Sequence, residues 1–324
     1  MDGSITVSSQ TPLVTVIVCT HNPRRDVLAR TLGSLRGQTL SADKWELLIV
    51  DNASKPPLPA ESASNWHREP KIIREPAIGL TPARLRGIAE AKSPLLVFVD
   101  DDNLLDADYL AASVRLFSEY PRLGAAGGPI RPEWESPPPP WIPEFQGLLA
   151  LRDLGPGDKI CPGGPRQTWP DFAPVGAGLV VRRQMAQAYA AEVNADSFRR
   201  DLDRTGLRLG SGGDNDLVFS VLHGGADIGY FPPLGLTHLI PAFRMRAGYM
   251  ARLNSGIMRT WTIVLKTHDQ CPWPAIDPWT VPARCARAFF RMRAWRSPAH
   301  YIRWRGNCGQ FHGQSLLPMF PISR

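Results

Sequence analysis

Three short apolar runs, each stopping at carboxylate or amide side chains, constrain this 324-residue chain more than any other feature of its sequence. Val14 to Cys19 leads into Thr20-His21-Asn22-Pro23, Glu46 to Val50 ends in Asp51-Asn52, and Leu95 to Val99 ends in Asp100-Asp101-Asp102. Runs this short and this rich in β-branched residues predict strands buried on both faces. Between them Val27, Leu28, Leu32 and Leu35 recur at helical spacing, and Ala83 to Ala91 puts Leu85, Ile88 and Ala89 on one face. Strands alternating with helices predict an α/β protein with a doubly wound, mostly parallel central sheet and flanking helices. Such sheets bind ligands in the crevice outside the carboxyl ends of their strands, where Asn22, Asp51 and the three aspartates would lie.

Further along, Tyr109 to Tyr120 predicts a helix, and Pro129 to Pro174 is a Pro/Gly-rich stretch too long for an ordinary connection. It reads as a lid. Trp134, Trp141 and Trp169 within it either present flat apolar faces or pack the loop onto the body. Val175 to Val181 predicts a strand, Gly210 to Gly213 enters a helix carrying Leu217, Val218, Val221 and Leu222, and Ile228 to Phe231 precedes Leu236-Thr237-His238. From Phe243 the spacing is helical through Tyr249, Leu253, Ile257 and Trp261, is broken by prolines from Pro272 to Pro282, and is then helical and basic again. No internal repeat is visible.

The surplus of 37 Lys+Arg over 30 Asp+Glu sits at one end. From Arg284 onward there are eight Arg, no Lys and no acid, which leaves 29 basic against 30 acidic residues before that point. The tail, not the body, seeks an acidic partner. Met1 to Pro12 is polar without a basic or apolar region, and no run reaches the roughly 18 apolar residues of a membrane span, so a cytoplasmic location is expected. Five widely spaced cysteines without a C-x-x-C pair argue against a disulfide framework or a zinc site.

Three consecutive aspartates at the end of a buried strand repel one another unless a cation neutralises them. Mg²⁺ or Mn²⁺ suits hard oxygen ligands, with Asp102 as the ligand and Asp100 turned towards a ribose; the alternative is a solvated turn in which Asp102 or Asn103 caps a helix. Asp51 either accepts from a pyrimidine N–H or ribose hydroxyl or forms an Asx turn. Asp214 and Asp216 follow two glycines and open a helix, so one caps its first turn and the other is available as a general base. His238 either completes the metal site beside Asp102 or is structural. Arg84 and Arg86 lie near a helix N-terminus that suits a diphosphate, and one of the two is there simply as a solvated charge.

Taken together, Thr15-Val16-Ile17-Val18-Cys19-Thr20-His21-Asn22, Leu48-Ile49-Val50-Asp51-Asn52-Ala53-Ser54, Val97-Phe98-Val99-Asp100-Asp101-Asp102 and Gly213-Asp214-Asn215-Asp216-Leu217 resemble the family 2 glycosyltransferases of GT-A fold. The resemblance runs from about Val14 to Pro241, and Leu236 to Pro241 followed by Arg244 and Tyr249 resembles a bacterial subgroup acting on surface glycans. It implies a catalytic domain over residues 1–245, with a nucleotide-sugar half at about 13–130 and an acceptor half at about 131–245, and a helical, basic, aromatic-rich extension over 246–324. It implies an inverting transfer from a nucleotide-diphosphate sugar to a glycan or lipid-linked acceptor. Thr20, Asn22, Asp51, Arg84, Asp100 and Asp101 would hold the nucleotide, Asp102 and His238 a Mg²⁺ or Mn²⁺ ion, and Trp141, Trp169, Gly176 and Gly178 the acceptor. Asp214 matches the family's base, with Asp216 as the second candidate. Gly213 departs from the pattern by standing where the family often has Glu, and Leu85 where Asn is frequent.

Arg284, Arg287 and Arg291, interleaved with Cys285, Ala288, Met292 and Trp295 and followed by Tyr301, Trp304 and Arg305, describe a basic amphipathic segment. Such segments lie on anionic membranes, so peripheral association with the inner face of the cytoplasmic membrane is expected, the alternative being a helix packed on the body with its arginines solvated; no nucleic-acid motif accompanies the arginines. An oxidoreductase on a similar sheet would need a G-x-G-x-x-G after its first strand, which is missing. The remaining alternative is a nucleotide-binding regulatory module of the same fold without catalysis.

Overall fold

A computed structural model of the chain describes residues 12–59, 66–67, 70–206 and 209–319. The polar segment read above as lacking a leader lies, apart from Pro12, outside the described residues. The first strand, β1 (Val14–Thr20), is buried at all seven positions, as its unbroken apolar run requires. It pairs in parallel with β2 (Trp45–Asn52) on one side, and β2 with β3 (Lys71–Glu75) beyond it. The chain then crosses over through α2 (Leu80–Glu90), the successor of α1 (Arg25–Arg36), to lay β4 (Leu95–Asp100) in parallel on the other side of β1. That reversal of direction at β1 and β4 is the switch point at which open α/β sheets form their crevice.

A sharp turn at Asp101-Asp102 leads to β5 (Asn103–Leu105) and α3 (Tyr109–Glu119), followed by β6 (Leu123–Gly127), β7 (Ile130–Trp134), β8 (Lys159–Cys161) and β9 (Val180–Arg182). After α4 (Arg183–Ala195), the short α5 (Ser197–Arg200) and α6 (Gly213–His223) come β10 (Asp227–Tyr230) and β11 (Leu236–Ile240). The large sheet has the order β3-β2-β1-β4-β9-β6-β10-β8, and a small one has β5-β11-β7. The large sheet is mixed: β9 runs antiparallel between β4 and β6, and β8 antiparallel to β10. The α/β class and the helical C-terminal region are as expected, and the sheet is parallel from β3 to β4 and mixed beyond it.

The long Pro/Gly-rich stretch is not a bare loop. It contributes β7, β8 and a short 3₁₀ helix at Ile142–Leu149, while Val175 to Leu179 remains irregular and only Val180–Arg182 forms a strand. Val14, Val16 and Val18 face one hydrophobic core and Ile17 and Cys19 the other, the period of two expected of a strand. In the C-terminal region α7 (Ala247–Thr267) packs along α9 (Pro298–Leu316), with α8 (Val281–Arg291) laid on α9. Met250, Leu253 and Ile302 join the same core as β1. Among the described residues no helix is long and apolar enough to cross a membrane.

Candidate active site

A cleft of about 400 Å³ opens at the carboxyl ends of β1 and β4. Its floor is Thr20 and Asp100 to Asp102, one side is the start of α2 with Gly79, Leu80 and Arg84, and another is Gly176 with Asp214 and Asn215 at the start of α6. His238, Arg244 and three residues of α7, Tyr249, Leu253 and Ile257, close it. The helical extension therefore builds part of the wall. A second cleft of about 410 Å³ shares His21, Asp101, Asp102 and Arg244 with the first and is lined beyond them by Asn22, Arg24 and Glu135.

The turn after β4 settles the directions of the aspartates. Asp100 is partly exposed and lies 4.0 Å from Arg84. Asp101 accepts a hydrogen bond from the Thr20 hydroxyl; burial and the adjacent Asp102 charge push its carboxyl up to about 7. For Asp102, burial opposes ionisation, but the His238 ring and the Arg244 guanidinium beside it outweigh that and hold the carboxyl well below the usual range. Half-buried Arg204, another lining residue, adds to this field.

His238 Nδ1 donates to the Leu149 carbonyl at 2.9 Å, which leaves Nε2 to face Asp102 Oδ2 at 3.4 Å. Arg244 Nη1 lies 3.0 Å from both. In its neutral form, with the proton on Nδ1, the ring no longer lends Asp102 a positive charge but offers a lone pair beside the carboxylate oxygen, a nitrogen and oxygen donor pair that suits a divalent cation. Arg244 supplies the positive charge at that point. Among the described residues no group of three or more His, Cys, Asp or Glu side chains converges as a complete metal cage, so such a cation would draw its remaining ligands from outside the chain.

Asp214 sits in the first turn of α6. Its Oδ2 accepts from the Gly176 N–H at 2.7 Å, and its Oδ1 is buried and has no hydrogen-bond partner among the described residues. Gly176 allows this approach: a Cβ there would lie 2.6 Å from Arg84 Nη2 and 2.9 Å from Asp214 Oδ2. Arg84 is buried and paired at 3.4 Å with Asp203, whereas Arg86 points outward to Glu90.

Several residues singled out in the sequence fall elsewhere. Asp216 is fully buried away from the cleft, its carboxylate shared between Arg199 Nε and His268 Nε2, both at 2.8 Å. Asp51 does not line the cleft: Ser54 and Leu58 N–H groups and Arg74 occupy its oxygens, while Asn52 lines the cleft and holds the Gly79 N–H at 2.8 Å. Asn22 lines the second cleft. Trp141 packs on Phe145, and Trp169 is half-buried in a separate aromatic cluster with Phe219 and Trp261; neither lines the first cleft. Gly178, at φ +71°, takes the Tyr109 hydroxyl on its carbonyl and has no room for a side chain. Asp203, Arg204, Leu253 and Ile257 were not singled out as site residues; the charged run Asp201 to Arg204 just before the glycines was the one available signal.

Residues 15–175, about half of the chain, match the family model described as glycosyl transferase family 2. A putative glycosyltransferase, EpsH of Bacillus subtilis, is 32% identical over 109 residues, 33% of this chain and 30% of that one. A glucosyl-dolichyl phosphate glucuronosyltransferase of Haloferax volcanii is 24% identical over 45% of this chain and 48% of its own length. The chain thus spans less than half the length of these curated relatives. The crystal structure of residues 1–349 of TarS from S. aureus overlays with a TM-score of 0.51 at 12% identity, covering 95% of this chain and 91% of that one, a likeness of fold. With its motifs, sheet order and cleft in agreement, the chain belongs to the family 2 glycosyltransferases, enzymes of GT-A fold.

Proposed function

We propose that the chain performs an inverting transfer from a nucleotide-diphosphate sugar, with Asp214 as general base and a Mg²⁺ or Mn²⁺ ion assisting at Asp102 and His238. The observation that carries this reading is that Asp214 lines the cleft and its Oδ1, buried in the unliganded chain, has no hydrogen-bond partner among the described residues. A buried carboxylate oxygen without a partner costs stability; an acceptor hydroxyl donating to it would satisfy it. Asp214 takes the proton of that hydroxyl as its oxygen attacks the anomeric carbon, and a single displacement inverts the centre. Arg84, Arg204 and Arg244 place positive charge where the diphosphate leaves. Thr20 and Asp100 to Asp102 bind the nucleotide end. Asp102 and His238 would hold the cation, which would supply Lewis-acid stabilisation of the leaving diphosphate.

The acceptor is a hydroxyl of a glycan or a lipid-linked saccharide. The Haloferax volcanii relative, by its name a glucosyl-dolichyl phosphate glucuronosyltransferase, supports the lipid-linked version. So does the outer side of the C-terminal helices. Trp279, Phe290 and Trp295 are 80%, 68% and 61% exposed there, beside exposed Arg284, Arg287, Arg291 and Arg296. Apolar rings flanked by arginines suit an anionic membrane surface. Residues 246–324 thus have two roles, closing the cleft and offering the enzyme to a membrane.

Thermal unfolding with UDP, dTDP and GDP, each with and without Mn²⁺, tests the donor reading, because a ligand of the folded state raises Tm. A Mn²⁺-dependent rise with one nucleotide, lost in Asp102→Ala, is the expected result. Equal shifts in wild type and Asp102→Ala would remove the metal from the reading. Sedimentation with phosphatidylglycerol and phosphatidylcholine vesicles tests the membrane face: binding to the anionic vesicles alone is expected, and it should fail when Trp279, Phe290 and Trp295 are changed to Ser.

A further inference from the structure

Position 213 is a glycine at the first residue of α6, next to the proposed base, and the space beside it is filled. A Cβ on Gly213 would lie 2.3 Å from Asp203 Oδ2. The carboxylate of Asp203, ten residues earlier in sequence, sits where a side chain at 213 would begin. Asp203 Oδ1 accepts the N–H groups of Gly213 at 2.9 Å and Gly212 at 3.3 Å, serving an α6 start whose own cap residue has no side chain. Its Oδ2 takes the Thr81 hydroxyl at 3.2 Å and faces Arg84 at 3.4 Å.

We propose that Asp203 is a positioning residue for Asp214: it supplies, from a neighbouring loop, the buried acid that position 213 lacks. Through the first turn of α6 and through Arg84 it sets the direction of the Asp214 carboxylate. The arrangement needs both partners, since any side chain at 213 collides with Asp203, and loss of Asp203 leaves buried Arg84 with the partly exposed Asp100, 4.0 Å away, as its one ion-pair partner among the described residues. A Glu at 213 would stand in the first helical turn, where an acid is favoured by the helix dipole, and could reach Arg84 once Asp203 is gone. The inference rests on the reading of Asp214 as base.

Three variants test it: Asp203→Asn, Gly213→Glu, and the double variant Asp203→Gly/Gly213→Glu. Turnover is read as nucleoside diphosphate release from UDP-, dTDP- and GDP-sugars, and folding as Tm. Asp203→Asn keeps the shape and removes the charge; kcat should fall about tenfold or more with donor KM within about threefold, and the pH profile should move. Gly213→Glu should lose Tm and turnover, and the double variant should regain both. Additive losses in the double variant overturn the shared position, and wild-type kcat and pH profile in Asp203→Asn overturn the positioning role. If the wild type releases no diphosphate from any donor, the functional reading fails on its own. The Asp214 carboxyl ¹³C signal in [γ-¹³C]Asp-labelled protein, assigned by its loss in Asp214→Asn, then decides: a changed titration in Asp203→Asn sustains the inference and an unchanged one ends it.

Discussion

Arg244 Nη1 lies 3.0 Å from Asp102 Oδ2 and 3.0 Å from His238 Nε2, so a guanidinium bridges the two side chains proposed to hold a divalent ion. Removing one partner of a buried ion pair leaves an uncompensated charge, a loss of roughly 3 kcal/mol. Arg244→Met should therefore lower Tm by several degrees in EDTA, while Mn²⁺ should restore more of the loss than it adds to the wild type. Differential scanning fluorimetry in both buffers reads the two effects. The same Mn²⁺ shift in both proteins would separate Arg244 from the cation position.

Asp101 predicts an opposite sensitivity to that of its neighbour. Its carboxyl is raised from 3.8 to about 7 by burial and by the Asp102 charge, with the Thr20 hydroxyl opposing. The folded chain thus holds this proton more tightly than the unfolded chain, and the resulting stability is full below about pH 4 and lost as pH rises through about 7. Asp102, depressed, contributes in the reverse sense and below that window. Relative to Asp101→Asn, the metal-free wild type should lose Tm steadily between pH 4 and 8. A constant difference across that range would show that Asp101 titrates as an ordinary carboxylate.

How much of this could be read beforehand depended on whether a residue's neighbours were local. Val14–Thr20 and Leu95–Asp100 were legible because burial on both faces writes an unbroken apolar run, and the site's floor because strand ends in this architecture point into one crevice. Asp51 and Asp216 carry the right residue type at the right kind of place. Their partners, Arg74 at 2.8 Å and His268 at 2.8 Å, lie 23 and 52 residues away and left no local trace. Leu253 and Ile257 follow helical spacing, which reports that a face is buried and not that it meets a cleft.

The tryptophans make the same point measurable. Trp169 stacks near Phe219 at 4.4 Å and Trp261 at 5.4 Å, away from the cleft. Trp169→Ala should cost about 2 kcal/mol of stability, less than a fully buried tryptophan would, because part of the ring already faces solvent. At a temperature where the variant is folded, KM for donor and acceptor should match the wild type. A large rise in acceptor KM with little loss of Tm would return Trp169 to sugar binding.

Gly176 tests the local geometry of the proposed base. Its missing side chain lets Arg84 and Asp214 approach the same backbone, and an added methyl at 2.6 Å from Arg84 Nη2 must push one of them aside. Gly176→Ala should lower kcat about tenfold or more, since displacement of a base by a fraction of an ångström is felt mainly in the reacting geometry. Donor KM should rise by less than kcat falls, because Arg84 is the other group the methyl can displace. If kcat is retained, Asp214 tolerates displacement and its role in the chemistry is in doubt.

The two aspartates of α6 give the sharpest contrast. Asp214 has one oxygen on the Gly176 N–H and the other buried without a hydrogen-bond partner among the described residues, so Asp214→Asn removes no ion pair within hydrogen-bond distance. Asp216 joins Arg199 and His268 and, through Arg199, Glu192 and Ser220, tying α6 to the α4–α5 region and to the end of α7. Asp214→Asn should keep Tm within a degree or two and lower kcat about 10²–10⁴-fold, the range of general-base catalysis. Asp216→Ala should lose roughly 3 kcal/mol, because it leaves the buried Arg199 with the half-exposed Glu192 as its remaining ion pair and His268 without its acceptor, and should keep a normal kcat per folded molecule at low temperature. The discriminating measurement is turnover normalised to the folded fraction: if Asp216→Ala is the inactive folded protein and Asp214→Asn the active one, the base has been assigned to the wrong carboxylate.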